Sequence, residues 1–466
     1  MRKFLTSILA LLTIGGGAKA SERTTVNHPD WSRDAVIYEV NLRQFSPEGT
    51  INAFARHLPR LRELGADILW FMPIHPISEL NRKGTLGSYY AVQDYKAVNP
   101  EFGTLDDFKA MVDQAHALGM KVIIDWVPNH TGCDNIWVAS HPEYYALDDK
   151  GEMFGPFDWT DTYKLDYSKP ETRAAMIDAM SFWLSDANID GFRCDVAGQV
   201  PVDFWNQARP ELEKAANGRP IFMLAEATEP ELMEHAFDMG YNWPMKDLFS
   251  AIAATSGQYS FIEPGKMAPR TFPETHATDI YKLLKSQENE YPADSYLMNM
   301  TSNHDLNSWE GTEYERLGNL ARAFAVLSYT LPGMPLIYTG QEVGLNRALE
   351  FFEKDTPPDW ESKPHMVEFY TTLNSLKHSR PELAAGSLGA PVEAFQTDSN
   401  DLIVFSRRKG THETIVAANL GSKPELLTFK GATPDTHNAQ NVFTGAKATL
   451  PASLDPGEVV LLTINH

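Results

Sequence analysis

Short apolar runs alternate with stretches of helical spacing along most of the chain. This alternation predicts strands followed by helices that cover them. The predicted strands are 35–41, 67–72, 121–127, 189–195, 220–226, 295–300 and 334–338. The predicted helices are 52–64, 104–118, 171–186, 204–216, 314–328 and 365–377. About eight strand–helix units imply a parallel sheet closed into a (β/α)8 TIM barrel. An open doubly wound sheet is the alternative, but it usually carries a Gly-rich phosphate loop, and none appears.

Two segments depart from the alternation. Residues 131–168 are rich in aromatic side chains, Asp and Gly without helical spacing, which predicts a short domain inserted after the third strand. From residue 386 to 466, short strands separated by Gly and Pro turns predict a C-terminal antiparallel β-sandwich domain. The catalytic barrel is then expected in two parts, residues 21–130 and 169–385.

The first twenty residues are typical of a secretory signal peptide. Arg2 and Lys3 precede an apolar run over 4–14, and Ala18-Lys19-Ala20 forms a small-x-small cleavage site. We therefore expect removal of residues 1–20 and an exported protein, periplasmic or secreted. No later segment is long and apolar enough to span a membrane.

Charge narrows the classes of partner. The chain has 62 acidic and 40 basic residues and a formal net charge of −22, which disfavours nucleic acid and anionic lipid. A neutral substrate is expected, and no obligate protein partner is inferred. The two cysteines, Cys133 and Cys194, are too few for a disulfide scaffold, and we expect two free, buried thiols in preference to a disulfide between them.

Polar residues follow several of the predicted strands. Asp125 to His130 end the third strand and Arg193 to Asp195 the fourth. Glu226 follows the fifth, and Asn303-His304-Asp305 follow the seventh. In a βα barrel the strand ends meet at one face, where catalytic residues lie. Arg193 and Asp195 share a strand face, so we expect Arg193 to keep Asp195 ionised as a nucleophile while Cys194 points away.

These four stretches resemble the four signature regions of the α-amylase family (glycoside hydrolase family 13), in order and in spacing. Further segments also resemble the family, and they are 94–100, 163–166 and 332–342. The resemblance extends over essentially the whole chain after residue 20.

The resemblance implies the following site residues. Asp195 is the expected nucleophile, Glu226 the general acid and then base, and Asp305 the third acid that binds and distorts the sugar. The expected substrate-binding residues are Tyr90, His130, Arg193 and His304. Asn129 matches a calcium ligand of the family, and Asp158, Asp161 or Asp166 could add oxygens. Gly198-Gln199 stands where many members have Lys-His, so no cofactor is required and calcium is optional.

The function implied is an α-amylase-like, retaining cleavage of α-1,4-glucosidic bonds in starch, maltodextrins or related α-glucans through a covalent glycosyl-enzyme. An α-glucan transglycosylase or an α-glucoside isomerase using the same site is the first alternative. A non-catalytic carbohydrate-binding protein on this fold is a weaker alternative, because such a protein is expected to lose at least one of the three acids. A metal-dependent barrel hydrolase is excluded by the lack of an H-x-H or H-E-x-x-H motif.

Overall fold

Eight parallel strands close into a barrel in the computed structural model, which describes residues 24–259 and 271–466. The strands, labelled in chain order, are β1 (Ile37–Val40), β2 (Ile68–Phe71), β3 (Lys121–Trp126), β4 (Gly191–Cys194), β5 (Phe222–Ala225), β6 (Met239–Tyr241), β7 (Tyr296–Asn299) and β8 (Met334–Tyr338). Each strand pairs with its neighbour in sequence, and β1 pairs with β8 to close the ring. The predicted (β/α)8 barrel is confirmed, whereas the predicted signal peptide lies outside the described residues.

Helices surround the barrel. Their bounds are Leu42–Phe45, Ile51–Ala55, Leu58–Leu64, Leu105–Ala117, Pro170–Ser185, Val202–Ala215, Leu232–His235, Trp243–Thr255, Asp279–Glu290, Glu313–Leu317, Ala321–Thr330 and Pro364–Ser379. The helix Leu105–Ala117 illustrates why the helices form at these positions in the sequence. A capping box between Thr104 and Asp107 satisfies its first backbone N–H groups, and Phe108, Met111 and Ala115 form its buried face. Among the described residues, no helix is long and apolar enough to cross a membrane.

Two predicted helices are interrupted. The predicted helix over 52–64 is two helices that meet at residues 56–57, because Pro59 in the first turn of the second lacks the N–H that would continue the first. The predicted helix over 314–328 breaks at Gly318, whose φ of 56° and ψ of −136° are not helical. The strand β6 was missed, since its three residues, with Gly240 in the middle, carry too short a pattern.

Alternate strand residues point into the barrel. Ile123, Phe222 and Leu224 belong to the inner cluster, whereas Phe192 and Cys194 pack with the helices in the outer core. Cys194 therefore faces away from the barrel interior, as expected. Cys133 and Cys194 are both free and buried, which agrees with the prediction.

The inserted segment begins with a strand, His130–Gly132, paired antiparallel with Thr162–Lys164. A short helix, Ile136–Ser140, lies between them. This pairing ties the residues that follow β3 to the inserted segment and fixes His130 near the barrel mouth.

The C-terminal region is an antiparallel sheet domain. Its five-stranded sheet has the order Glu393–Ala394, Leu402–Lys409, His412–Asn419, Val459–Asn465 and Gln440–Asn441. Glu425–Leu426 and Ser453–Leu454 pair in a separate two-stranded sheet. Ile403 and Phe405 pack with the outer core of the barrel, while Leu402 and Val404 pack with Leu454 on the other face. The sheet thus buries both faces.

Gly191 sets the spacing between β4 and β5. Its φ is 150°, and a Cβ atom there would lie 1.9 Å from the carbonyl oxygen of Phe222. Since that oxygen belongs to the neighbouring strand, any side chain would push the two strands apart.

We expect Gly191→Ala to destabilise the protein by several kcal/mol, since over-packing and a left-handed backbone each cost about 1–3 kcal/mol. Gly218→Ala is the matched control, because Gly218 has a φ of 75° with no atom within 4 Å of its Cβ position. Thermal unfolding of both variants would separate steric clash from backbone strain. Equal losses of melting temperature would show that the contact with Phe222 is unimportant.

Candidate active site

A cleft of about 370 Å³ opens at the carboxyl ends of the barrel strands. Six of the predicted site residues line it: Tyr90, His130, Asp195, Glu226, His304 and Asp305. Arg193 is fully buried and forms hydrogen bonds and ion pairs with several of the groups beneath the cleft. The structure therefore brings all seven predicted residues together, although their roles in catalysis stay predictions.

One buried guanidinium holds three carboxyl groups. Arg193 Nη1 donates to Asp125 Oδ1 at 2.8 Å and to Asp195 Oδ1 at 2.9 Å. Arg193 Nη2 lies 3.0 Å from Glu226 Oε2, an ion pair whose angles do not suit a hydrogen bond. Glu226 Oε2 instead accepts a hydrogen bond of 2.8 Å from the backbone N–H of Val196. These contacts orient both Asp195 and Glu226 at the base of the cleft.

The carboxyl groups outnumber their cation. Burial and the neighbouring Glu226 carboxyl raise the pKa of Asp195 well above its usual range, although Arg193 opposes the rise. Burial likewise raises the pKa of Asp125 to about 6. Arg193 contacts Asp195 as expected and lowers its pKa, but desolvation and repulsion from the neighbouring carboxyls act in the opposite direction.

A second network positions Tyr90. Its hydroxyl lies 2.7 Å from His304 Nε2 and donates to Asp125 Oδ2 at 3.0 Å. His304 Nδ1 contacts the buried carboxyl of Glu39. Burial alone would lower the pKa of an imidazole, but the carboxyls of Asp305 and Glu39 raise the pKa of His304 to about 9. At neutral pH His304 is thus a cation whose two ring N–H groups donate to Glu39 and Tyr90.

Several supporting residues were absent from the sequence-based site. Asp125 joins both networks, and its Oδ2 also accepts from Trp70 Nε1 at 3.2 Å. Arg193 Nε donates to the hydroxyl of Tyr241 at 3.1 Å. Glu39 is fully buried in β1. A lone acid inside the apolar run Ile37–Val40 is the signal that could have identified it.

Aromatic side chains form much of the cleft. Of the aromatic side chains in the inserted segment, Trp159 lines the cleft, whereas Tyr144 and Tyr145 are buried in the core. Trp243 and Trp309 line it as well. Flat rings with polar edges suit the alternating apolar faces and hydroxyl edges of a sugar.

Asn129, the predicted calcium ligand, and Asp161 each have a polar neighbour in the structure. The Asn129 amide nitrogen lies 3.3 Å from His130 Nδ1, and Asp161 forms an ion pair of 2.8 Å with Lys83. Within residues 24–259 and 271–466, no group of three or more His, Cys, Asp and Glu residues is arranged to bind a metal. No chemical step below uses calcium, and the expectation that no cofactor is required stays a prediction.

The environment of His304 predicts an unusual titration. We expect its imidazole to lose a proton only as the pH rises through about 9. Glu39→Gln removes one of the two negative charges that stabilise the cation, so its titration should move to lower pH. Nitrogen NMR of the histidine rings, with His304→Gln used to assign the signal, measures both midpoints. A wild-type midpoint between pH 6 and 7 would contradict the predicted effect of these carboxyls.

Comparisons with known proteins agree with this arrangement. The family model for the catalytic domain of α-amylase matches residues 19–151 and 145–377. The α-amylase MalA of Haloarcula japonica is 25% identical over 454 residues, covering 93% of this chain but only 62% of that protein's length. Neopullulanase 2 of Thermoactinomyces vulgaris is 28% identical over 459 residues, covering 86% of this chain and 72% of that protein.

A solved structure of an α-amylase also matches this chain. The crystal structure of an α-amylase from Lactobacillus plantarum is 28% identical and matches with a TM-score of 0.78, over 93% of this chain and 99% of that one. The family model covers most of the chain, and the barrel and the carboxyl cluster described above are consistent with that match. The protein is an enzyme that acts on glycosyl bonds, and it belongs to the α-amylase family.

Proposed function

We propose that this enzyme is a retaining glycoside hydrolase that cleaves α-1,4-glucosidic bonds in starch, maltodextrins or related α-glucans. The observation that carries the proposal is the contact of Asp195 and Glu226 with the two terminal nitrogens of one guanidinium, that of Arg193. Glycosidases have two characteristic distances between their catalytic carboxyl groups, and the shorter one, about 5–5.5 Å, is typical of retaining enzymes. Two carboxyls that contact the same guanidinium favour this shorter distance.

Asp195 and Glu226 divide the chemistry between them. Glu226 donates its proton to the glycosidic oxygen as the bond breaks, and Asp195 attacks the anomeric carbon to form a glycosyl-enzyme. Glu226, now ionised, removes a proton from water, which attacks the same carbon and releases Asp195. Two inversions at the anomeric carbon leave an α product. In both steps Arg193 stabilises the carboxyl group that is ionised at that stage.

The remaining site residues suit the sugar that carries the developing positive charge. The Tyr90 ring is stacked beside His304, with centroids 5.5 Å apart, and lines the cleft. Its negative face would stabilise an oxocarbenium-like transition state. Asp305 and His130 provide hydrogen-bonding groups toward the sugar hydroxyls, and His304 lines the cleft beside Tyr90.

Water is the proposed acceptor, in keeping with the names of the relatives, α-amylase and neopullulanase. A sugar in place of water would give transfer or isomerisation with the same residue roles, so the products decide between these outcomes. The N-terminal segment, as a proposed signal peptide, would place this activity outside the cytoplasm.

We expect Asp195→Asn to lower turnover of maltoheptaose on the order of 10⁴-fold or more, because no carboxylate remains to form the glycosyl-enzyme. Asp178→Asn is the matched control, since Asp178 is a carboxyl with a side chain 72% exposed on an outer helix. Chromatography would give product sizes, and NMR would give their first-formed anomer. β-anomeric products, or near-normal turnover by Asp195→Asn, would contradict the proposal. Longer or rearranged sugars would favour the transferase or isomerase alternative.

Glu226→Gln should lose about 10²–10⁴-fold on maltoheptaose, the usual contribution of a general acid. Its loss should be smaller in the first, bond-breaking step with α-maltosyl fluoride, whose leaving group needs no proton. Pre-steady-state release of fluoride isolates that step. Comparable losses on the two substrates would remove Glu226 from the role of the acid.

A further inference from the structure

The loops after four neighbouring strands are joined at the barrel mouth. These loops follow β8, β1, β2 and β3, which are adjacent in the closed sheet. Within the loop after β2, residues 79–87 contact the inserted segment at one end and residues 350–353 at the other. We call this loop and the residues it contacts the loop wall.

The first end of the wall is fixed to the inserted segment. Asp134 Oδ2 accepts hydrogen bonds from the backbone N–H groups of Glu79 at 2.9 Å and Leu80 at 3.1 Å. Lys83 Nζ lies 2.8 Å from Asp161 Oδ1, whose side chain is only 3% exposed. A partly desolvated ion pair such as this one is screened less than a surface pair and so contributes more.

The second end is fixed to the loop after β8. The Thr85 N–H donates to Glu353 Oε1 at 2.7 Å, and the Leu86 N–H donates to the carbonyl of Phe352 at 3.1 Å. Arg43, buried after β1, donates from Nη1 to the carbonyls of Gly87 at 3.2 Å and Phe351 at 3.1 Å. One guanidinium thus links three of the four loops.

The wall meets the cleft beside Tyr90 and His130. Phe351 is stacked against the Tyr90 ring at 6.3 Å, and Trp159 lies 5.0 Å from the ring of His130. Lys83, Trp159, Phe351 and Phe352 all line the cleft. Glu226 follows β5, the strand across the ring from β1, so the wall lies on the opposite side of the mouth.

The side beyond Glu226 has a different surface. Gly198, Gln199 and Glu229 line the cleft there, and all three are exposed. The two sides therefore differ in their contacts, because the far side is bordered by the cross-linked loop wall.

We propose that the loop wall closes the glycone side of the cleft, with the Lys83–Asp161 pair as its latch, so that the enzyme acts on the non-reducing ends of α-glucan chains. This inference rests on the proposed function, which fixes the direction of the chain. Glu226 protonates the departing, reducing-side part, and the glycone bound to Asp195 extends away from it toward its non-reducing end. A wall at that end limits how many sugar units fit there.

A pair of chromogenic maltoheptaosides tests this proposal, one with a free non-reducing end and one with an ethylidene group on O4 and O6 of that end. We expect the wild type to cleave the blocked substrate roughly 10–100-fold more slowly, since the added group would overpack a closed end. Lys83→Ala should raise the blocked-to-free rate ratio several-fold by releasing the latch. Lys96→Ala, which removes an exposed ion pair with Asp178 outside the cleft, should leave the ratio unchanged.

The outcomes separate the two proposals. Equal wild-type rates on both substrates would overturn the closed glycone side and leave the proposed function intact. A slow blocked substrate with an unchanged ratio in Lys83→Ala would overturn the role of the latch. No cleavage of either substrate by the wild type would overturn the proposed function itself.

Discussion

The active site depends on the buried positive charge of Arg193. Arg193 is fully excluded from solvent, and removing a guanidinium from water is costly unless its partners are close and well oriented. Asp125, Asp195 and Glu226 supply that compensation, and the rings of Trp70 and Tyr241 lie 5.1 and 5.4 Å from the guanidinium carbon. The three carboxyls depend on Arg193 in turn, because it is the cation that contacts all of them. A substitution that leaves such a charge unpaired typically costs about 3–5 kcal/mol.

The closed barrel supplies the geometry that this charge cluster needs. In β3 and β4, Asp125 and Arg193 are direct partners in the strand register, so the ion pair between them is set by the backbone ladder. Glu39 and Trp70 are partners in the same way on β1 and β2. Strand pairing sets the positions of these residues, and the loops at the strand ends add the groups that contact the sugar.

The sequence alone was enough to predict the barrel and the polar residues at the strand ends. It was not enough where the local pattern of apolar and polar residues is weak. Strands such as Lys121–Trp126 have apolar runs that only a buried strand explains, and Asp195 and Glu226 follow directly from where such runs stop. The strand Met239–Tyr241 forms because it pairs with β5 and β7, whereas its own three residues are too few for a recognisable strand pattern. The raised pKa of Asp195 could not be inferred from Arg193-x-Asp195 alone, because it depends on burial and on the neighbouring Glu226 carboxyl. The loop wall rests on contacts between side chains and backbone groups that lie far apart in the sequence, and residue type alone does not indicate such pairings.

The contact between His304 and Glu39 has a consequence for biosynthesis. These residues are 265 positions apart, one following β7 and the other within β1. At about 5–20 residues per second, a ribosome needs tens of seconds to make the intervening chain, and the first strand waits that long for its partner. The buried Glu39 carboxyl cannot acquire its histidine until nearly the whole barrel has been synthesised. A chain truncated before His304 would therefore lack the assembled site.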